Sequence, residues 1–177
     1  MTEIPPTTLL ADGKPPATPD KVLARLRELR IEAETMHHPP VFTVDQAKAL
    51  RGDIPGCHTK NLFLRDKKGA MWLVVCLEDR TIDLKDLADT LGAKRLSFGS
   101  ADRLMKYLGV IPGAVSPFAI FNDRTGAVTV AVDRAILEQE PLNFHPLDNS
   151  MTTSIGAAGF LAFLDAQGHP PVLVDLD

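Results

Sequence analysis

The sequence predicts a single α+β domain built on a mixed, largely antiparallel sheet with surrounding helices. Apolar segments with the two-residue period of strands are interspersed with amphipathic segments of helical period. Turn sequences of the hairpin type separate several of the strand segments. No internal repeat and no linker divides the 177 residues, a length that suits one domain with a full-sized core.

The chain begins with a proline- and threonine-rich stretch, MTEIPPTTLLADGKPPA, which lacks any period. Residues 1–17 are therefore predicted to be a mobile or loosely docked arm, and residues 18–177 the folded domain. Thr18-Pro19 is typical of a helix start, with an N-cap followed by proline in the first turn. A helix over roughly 19–30 follows, with an apolar stripe formed by Val22, Leu23, Leu26 and Leu29.

The remaining elements follow from caps, glycine stops and apolar runs. Strands are predicted at 32–38, 57–66, 70–77, 94–98, 118–121, 127–132 and 172–176, with a strand pair or bent strand within 142–155. Helices are predicted from Thr43 to Gly52, Asp83 to Gly92, Ser100 to Gly109 and Gly156 to Gln167. The run at 70–77, AMWLVVCL, is apolar throughout and indicates a central strand that is buried on both faces.

Charge is distributed unevenly along the chain, whose net charge is −4. Residues 1–70 carry 11 Lys and Arg against 9 Asp and Glu, whereas residues 109–177 carry 2 against 8. An anionic partner would therefore meet the N-terminal two-thirds. The candidate contacts are the basic residues of the first helix, although an ordinary solvated helix surface explains them too: Lys21, Arg25, Arg27 and Arg30.

Composition also indicates the cellular location of the protein. No apolar run is long enough to cross a bilayer, and no basic segment followed by an apolar one opens the chain. The two cysteines do not make a disulfide framework. These features predict a cytoplasmic protein.

Several familiar chemistries lack their motifs. The histidines show no helical i, i+4 pair, and no Cys-x-x-Cys occurs, so we expect no metal. The Gly-x-Ser-x-Gly elbow of hydrolases and the phosphate-binding glycine loops are also missing. Three features remain as candidates: Lys60-Asn61, the loop Gly109–Gly113, and the polar group of His145, Asn149 and Thr152.

Lys60 lies in the predicted strand at 57–66, in line with Leu62 and Leu64. A lysine on an apolar face needs an anion or dipoles beside it, because burying an unpaired ammonium is costly. A lysine at the end of a strand can instead extend its ammonium into water. The strand by itself leaves both interpretations open.

Four phrases, in order, resemble one known family. HPPVFTVDQA, TKNLFLRD, GVIPGAVSPF and FHPLDNSMTTSI are similar to the YbaK/ProX family of aminoacyl-tRNA editing domains. The resemblance spans roughly residues 18–177, and TKNLFLRD with GVIPGAVSPF most resembles the free-standing ProX branch. It implies an enzyme that deacylates mischarged Ala-tRNA(Pro) in trans, with a positioned water and no metal or other cofactor.

The resemblance also implies roles for individual residues. Lys60 matches the essential editing lysine, and the GxxPG loop is expected to hold the substrate with Gly113 in a catalytic position. His145 matches the histidine of the aminoacyl pocket. The remaining substrate-binding residues that it implies are Asn61, Gly109, Pro112, Ser116, Asn149, Thr152 and Thr153.

The expected partners are the acceptor end of tRNA(Pro) and prolyl-tRNA synthetase, and we expect a monomer. Two alternatives stay open. One is deacylation of Cys-tRNA(Pro) or another aminoacyl-tRNA by the same kind of site. The other is a non-enzymatic module of the same fold that binds tRNA or a synthetase.

Overall fold

The computed structural model describes residues 9–41, 45–46, 49 and 54–176. Within them lie four α-helices and eight strands. The helices are α1 (Pro19–Glu28), α2 (Leu84–Leu91), α3 (Ala101–Leu108) and α4 (Ala157–Ala166). The strands are β1 (Ala33–His37), β2 (Cys57–Arg65), β3 (Met71–Leu77), β4 (Ser97–Phe98), β5 (Val128–Asp133), β6 (Leu142–Phe144), β7 (Met151–Ile155) and β8 (Val172–Val174).

The strands form one mixed sheet in the order β1-β7-β6-β2-β3-β5-β8, with β4 beside β2. Antiparallel pairs join β1 to β7, β6 to β7, β2 to β3 and β2 to β4. Parallel pairs join β2 to β6, β3 to β5 and β5 to β8. The predicted α+β class is thus confirmed. Three of the seven described strand pairs are parallel, a larger fraction than a largely antiparallel sheet would have.

Each face of the sheet has its own core. On the first face, Leu73 and Val75 of β3 pack with residues of α1, α3 and α4. On the second face, Val74 and Cys76 pack with Leu87 of α2. β3 is therefore central and buried on both faces, as its unbroken apolar run predicts.

Caps define the ends of two helices as expected. The Asp83 carboxylate accepts hydrogen bonds from the first backbone N–H groups of α2, and the Ser100 hydroxyl accepts one from Arg103 N–H of α3. Gly92 and Gly109 end these helices with φ values of 69° and 67°. A left-handed backbone favours glycine, since a side chain there is strained.

Two predicted strands are wrong in part or in whole. The segment 118–121 lies in a buried 3₁₀ helix, Pro117–Asn122. Ser116 caps it by accepting the Phe118 N–H, and Pro117 presets the first turn. Its uniformly apolar run could not distinguish strand from helix. The strand predicted at 94–98 is reduced to Ser97–Phe98.

The N-terminal segment is docked over the residues that the structure describes. Residues 9–17 pack against the domain, with Leu10 only 4% exposed. Ala11 N–H donates to the Lys106 carbonyl, and Asp12 pairs with Arg124 at 2.8 Å. This part of the predicted arm is thus a docked segment, while residues 1–8 lie outside the described residues. Most of the predicted helix from Thr43 to Gly52 also lies outside them. No helix in the described part of the chain has the length and apolar character needed to span a membrane.

Candidate functional site

The ends of β6 and β7 bring two of the predicted residues together. Their ladder ends at the pair Phe144 and Thr153, so His145 and Thr152 occupy the next position. Side chains alternate along a strand. Since Phe144 packs in the first core, Thr152 belongs to the opposite face of the sheet. The aromatic rings of His145 and His38 have centroids 6.1 Å apart on this side.

His145 is held in one orientation. Its Nδ1 lies 2.7 Å from the Met151 carbonyl oxygen, which can only accept, so Nδ1 carries the proton. Burial lowers the pKa of His145 below its ordinary value, and the bond to Met151 only partly opposes this. A neutral ring with Nδ1–H has an unprotonated Nε2, which can accept a hydrogen bond from a ligand or a water molecule.

The Gly109–Gly113 loop approaches Asn149 through Gly113. A Cβ placed on Gly113 would lie 3.4 Å from Asn149 Nδ2 and 3.9 Å from the Val41 carbonyl oxygen. Asn149 in turn donates to that carbonyl at 3.2 Å and accepts from Val41 N–H at 3.3 Å. The loop, the segment at Val41 and the turn after β6 therefore meet at Gly113.

Gly109 has a different environment at the start of the loop. A Cβ on it would lie 2.5 Å from Asn122 Nδ2 and 3.1 Å from Leu10 Cδ2. Asn122 Nδ2 donates to the Leu108 carbonyl, and Asn122 Oδ1 accepts from Ala17 N–H. The N-terminal segment and Asn122 thus fix the point where the loop leaves α3. Beside the loop lies a groove of about 540 Å³, lined by the N-terminal segment, the loop and residues 147–149.

Lys60 lies on the same face of the sheet as Thr152. The parallel register pairs Cys57 with Leu142 and His58 with Asn143, so Lys60 stands two positions further, level with His145. The Lys60 side chain is half-buried, and its ammonium donates to the Arg80 carbonyl. The sheet therefore brings Lys60 to the side of the site, while its described hydrogen bond is to Arg80 and not to the Gly109–Gly113 loop.

Asn61 points to the other face of β2, with Phe63 and the first core. Its Oδ1 is buried and lacks a hydrogen-bond partner, and the same holds for Thr59 Oγ1, two residues earlier. A buried acceptor without a donor is costly. A ligand that donated a hydrogen bond would satisfy either oxygen.

Two predicted substrate residues have structural roles in this fold. Ser116 is fully buried and caps the 3₁₀ helix that follows it. Thr153 is fully buried on the core face and shares a 2.8 Å hydrogen bond with Thr35. Neither hydroxyl is exposed to a ligand. Both segments contain several polar residues, and their sequences do not show which of these side chains are buried.

The predicted basic face of α1 is divided. Arg25 donates to Gln167 and to Glu28, each at 2.8 Å, so its guanidinium is engaged within the protein. Arg27 is exposed and lies about 200° around the helix from Arg25. Lys21 and Arg30 are also exposed, and Arg30, beyond the helix end, has a φ of 59°. Lys21 lies in the first turn of α1, whereas Arg27 and Arg30 lie at its far end, so the four residues do not share one stripe.

His38 is a site residue that sequence reasoning missed. Its Nε2 lies 2.8 Å from Thr152 Oγ1, and its Nδ1 lies 2.8 Å from the Pro39 carbonyl oxygen. In the sequence it was only a residue of the HPPV phrase that ends β1. Its pairing with Thr152 spans 114 positions, and such a contact has no local sequence signal.

Comparisons with known proteins identify the class. Residues 38–163 match the family model of the aminoacyl-tRNA editing domain. The prolyl-tRNA editing protein ProX of Acetoanaerobium sticklandii is 39% identical over 156 residues, which cover 88% of this chain and 95% of that protein. The prolyl-tRNA synthetase associated domain-containing protein 1 of Bos taurus is 39% identical over 158 residues, covering 86% and 92%.

Solved structures show the same fold. One, described as a candidate trans-editing enzyme for prolyl tRNA synthetase, superposes with a TM-score of 0.67 at 15% identity, covering 91% of this chain and 99% of that one. A second, the hypothetical protein APE2540, gives 0.68 at 19% identity, covering 87% and 98%. The fold and the sequence together define an aminoacyl-tRNA editing enzyme of the deacylase class. The chain belongs to the aminoacyl-tRNA editing domain family, in which the resemblance to YbaK/ProX had placed it.

Proposed function

We propose that this protein hydrolyses mischarged Ala-tRNA(Pro) in trans, releasing alanine and free tRNA. The observation that supports the proposal is the group of residues around the end of β6 and the start of β7, where His145 and Thr152 lie beside each other and Asn149 is approached by Gly113. Lys60 lies on the same face of the sheet as Thr152. The relative named as a prolyl-tRNA editing protein supports the choice of tRNA.

The reaction needs little covalent help from the protein. An aminoacyl ester is already activated, so an enzyme mainly orients a water molecule and stabilises the oxyanion. In the proposed mechanism, the His145 Nε2 lone pair accepts a hydrogen bond from the attacking water. Backbone N–H groups of the Gly109–Gly113 loop, with the ring of Pro112 stiffening it, hold the ester carbonyl oxygen.

Lys60 serves as a cation in this scheme. It anchors the terminal phosphate or polarises the ester. To do so its ammonium exchanges the Arg80 carbonyl for the anionic ligand. Asn61 points to the opposite face of β2, so the proposed mechanism gives it no contact with the substrate.

Specificity in the proposal depends on size. A pocket that fits alanine excludes proline by bulk and so spares correctly charged tRNA(Pro). The phosphates of the tRNA would meet Lys21 in the first turn of α1 and Arg27 and Arg30 at its end, while Arg25 contributes less because Gln167 and Glu28 hold it. Prolyl-tRNA synthetase as a second partner, a monomeric state and a cytoplasmic location remain predictions.

A panel of mischarged tRNA(Pro) species tests the proposal. Purified protein is incubated with alanyl-, cysteinyl-, seryl- and prolyl-tRNA(Pro), and the loss of ester is followed against spontaneous hydrolysis. We expect alanyl-tRNA(Pro) to be deacylated fastest and prolyl-tRNA(Pro) to be spared. Lys60→Ala should reduce the rate by at least about a hundredfold, in the range of lost electrostatic stabilisation. Lys68→Ala, at an exposed hairpin position, is the matched control and should keep the rate.

Three other results have distinct meanings. Faster loss of the cysteinyl ester would replace the substrate and keep the enzyme class. Tight tRNA binding without hydrolysis of any ester would favour the non-enzymatic module. A fully active Lys60→Ala protein would remove Lys60 from the mechanism.

A further inference from the structure

The inference begins with the proton positions around His38. The Pro39 carbonyl oxygen, 2.8 Å from His38 Nδ1, can only accept a hydrogen bond, so Nδ1 carries a proton. A neutral His38 that donates through Nδ1 has an unprotonated Nε2. Thr152 Oγ1, 2.8 Å from that Nε2, must then be the donor of their hydrogen bond.

This arrangement changes what Thr152 offers to a ligand. A threonine hydroxyl has one proton and two lone pairs. With its proton directed to His38, Thr152 Oγ1 can only accept further hydrogen bonds. Thr152 is 5% exposed, so its orientation is set within the protein and not by bulk water.

The chemical groups of the substrate limit which hydrogen-bond donor can bind to Thr152 Oγ1. The reacting ester has only acceptor oxygens, so it cannot satisfy Thr152. The α-amino group of the amino acid carries N–H donors and lies next to the ester carbonyl carbon. Thr152 occupies the position beside His145, where the aminoacyl part is proposed to bind.

We propose that His38 is a positioning residue that fixes the Thr152 hydroxyl as an acceptor for the α-amino group of the aminoacyl ester. The inference rests on the proposed deacylase function and adds a specificity element to it. The site would select esters with a free α-amino group and discriminate against esters that lack one.

The test compares two esters that differ only in that group. Alanyl-tRNA(Pro) and propionyl-tRNA(Pro) have the same carbon skeleton, and each rate is divided by the spontaneous hydrolysis of the same ester. The wild type should prefer the alanyl ester. His38→Phe should lower the alanyl rate on the order of tenfold, the scale of one hydrogen bond to a charged group, and leave the propionyl rate nearly unchanged.

Further variants separate positioning from a general structural defect. Thr152→Val should reproduce the loss for the alanyl ester, and the double variant should lose no more than either single one, because both remove one interaction. His38→Gln should restore part of the preference, since its side-chain carbonyl can accept the Thr152 proton. His37→Phe, at the exposed neighbouring position, is the matched control and should match the wild type.

The outcomes distinguish a failure of the inference from a failure of the proposed function. If the wild type hydrolyses the alanyl ester but His38→Phe keeps the full preference, or slows both esters equally, the inference is wrong. If the wild type hydrolyses no aminoacyl ester, the proposed function fails and the inference fails with it. Circular dichroism checks that each variant folds, and should His38→Phe fail to fold, Thr152→Val against Thr152→Ser decides the matter.

Discussion

Gly109 and Gly113, two glycines of the same loop, have different structural environments. Gly109 has φ 67° and no room for a Cβ, because Asn122 Nδ2 would lie 2.5 Å away. Gly113 has ordinary van der Waals room, with Asn149 Nδ2 at 3.4 Å from the same position. The fold therefore explains the glycine at 109 but not the one at 113. For the second, we propose close approach of a ligand to the backbone.

Alanine substitutions should separate these two roles. Gly109→Ala should lower the free energy of unfolding by about 1 to 3 kcal/mol, because it combines a left-handed backbone with a steric conflict. Gly113→Ala should leave stability within about 0.5 kcal/mol and reduce deacylation at least about tenfold, because the new methyl group occupies the space that the ester needs. Urea unfolding and the alanyl-tRNA(Pro) assay measure the two effects. An active Gly113→Ala protein would rule out backbone contact at this position.

The site was predictable at the residue scale only where a motif carried it. Lys60, the Gly109–Gly113 loop and His145 came from ordered phrases of the sequence, and their roles stay predictions. Ser116 and Thr153 belong to the same phrases but are buried, because strand alternation and helix capping decide exposure one residue at a time. The role of His38 could not be predicted, because it depends on a contact with Thr152, 114 positions further along the chain.

Among the elements, the N-terminal segment is the one for which composition predicts least. Composition predicts a mobile or loosely docked arm, and residues 9–17 form hydrogen bonds and an ion pair with α3 and the turn after the 3₁₀ helix. Leu10 is the apolar anchor, and its side chain closes on Gly109. A single buried leucine in a proline-rich stretch has no periodic partners, so no pattern could reveal it.

Neighbouring leucines allow a direct measurement of this docking. Leu10→Ala should cost about 2 kcal/mol of unfolding free energy, because it removes a side chain that is 4% exposed. Leu9→Ala, at a position 48% exposed, should cost less than about 0.5 kcal/mol. Urea denaturation of both variants provides the comparison. Equal and negligible losses would show that the segment is not held in solution.

Helices with caps were the most predictable elements, and uniformly apolar runs the least. Asp83 and Ser100 cap their helices through hydrogen bonds to residues two or three positions away, so the local sequence is enough to predict these caps. The run Pro117–Asn122 is buried on every side, and tertiary packing removes the alternation that would identify a strand or a helix. For the apolar run at 70–77 the strand prediction is confirmed, because the hairpin turn that precedes it favours a strand.

At the scale of the whole molecule, one buried ion pair ties the C-terminal part to the sheet. His169 Nε2 lies 2.9 Å from Asp123 Oδ2, and His169 Nδ1 lies 3.0 Å from the Gln167 carbonyl oxygen. Both ring nitrogens therefore face acceptors, which suits the imidazolium. Asp123 also accepts from the N–H groups of Ala127 and Val128 ahead of β5.

The pKa values of this pair shift in opposite directions. Burial alone would lower the pKa of His169, but its hydrogen bonds to Asp123 and Gln167 outweigh burial and raise it above 6.5. Burial alone would raise the pKa of Asp123, but the bonds from His169 and from the two N–H groups lower it below 3.8. The histidine contribution to stability is thus complete below pH 6.5 and is lost as the pH rises through the folded-state pKa. The aspartate contribution is present above pH 3.8 and is lost as the pH falls through its lowered pKa.

The pair should therefore stabilise the fold most between these two limits, and His169→Gln tests this because glutamine keeps hydrogen-bonding capacity without the charge. At about pH 5.5 the variant should unfold with about 1 to 2 kcal/mol less free energy than the wild type, the scale of a charge-assisted hydrogen bond. At about pH 9 the difference should shrink towards zero, because a neutral imidazole can donate to only one of its two acceptors. Urea unfolding at both pH values gives the two differences. A gap that stays constant with pH would mean that His169 contributes by shape and packing, and that the imidazolium is not the form the fold selects.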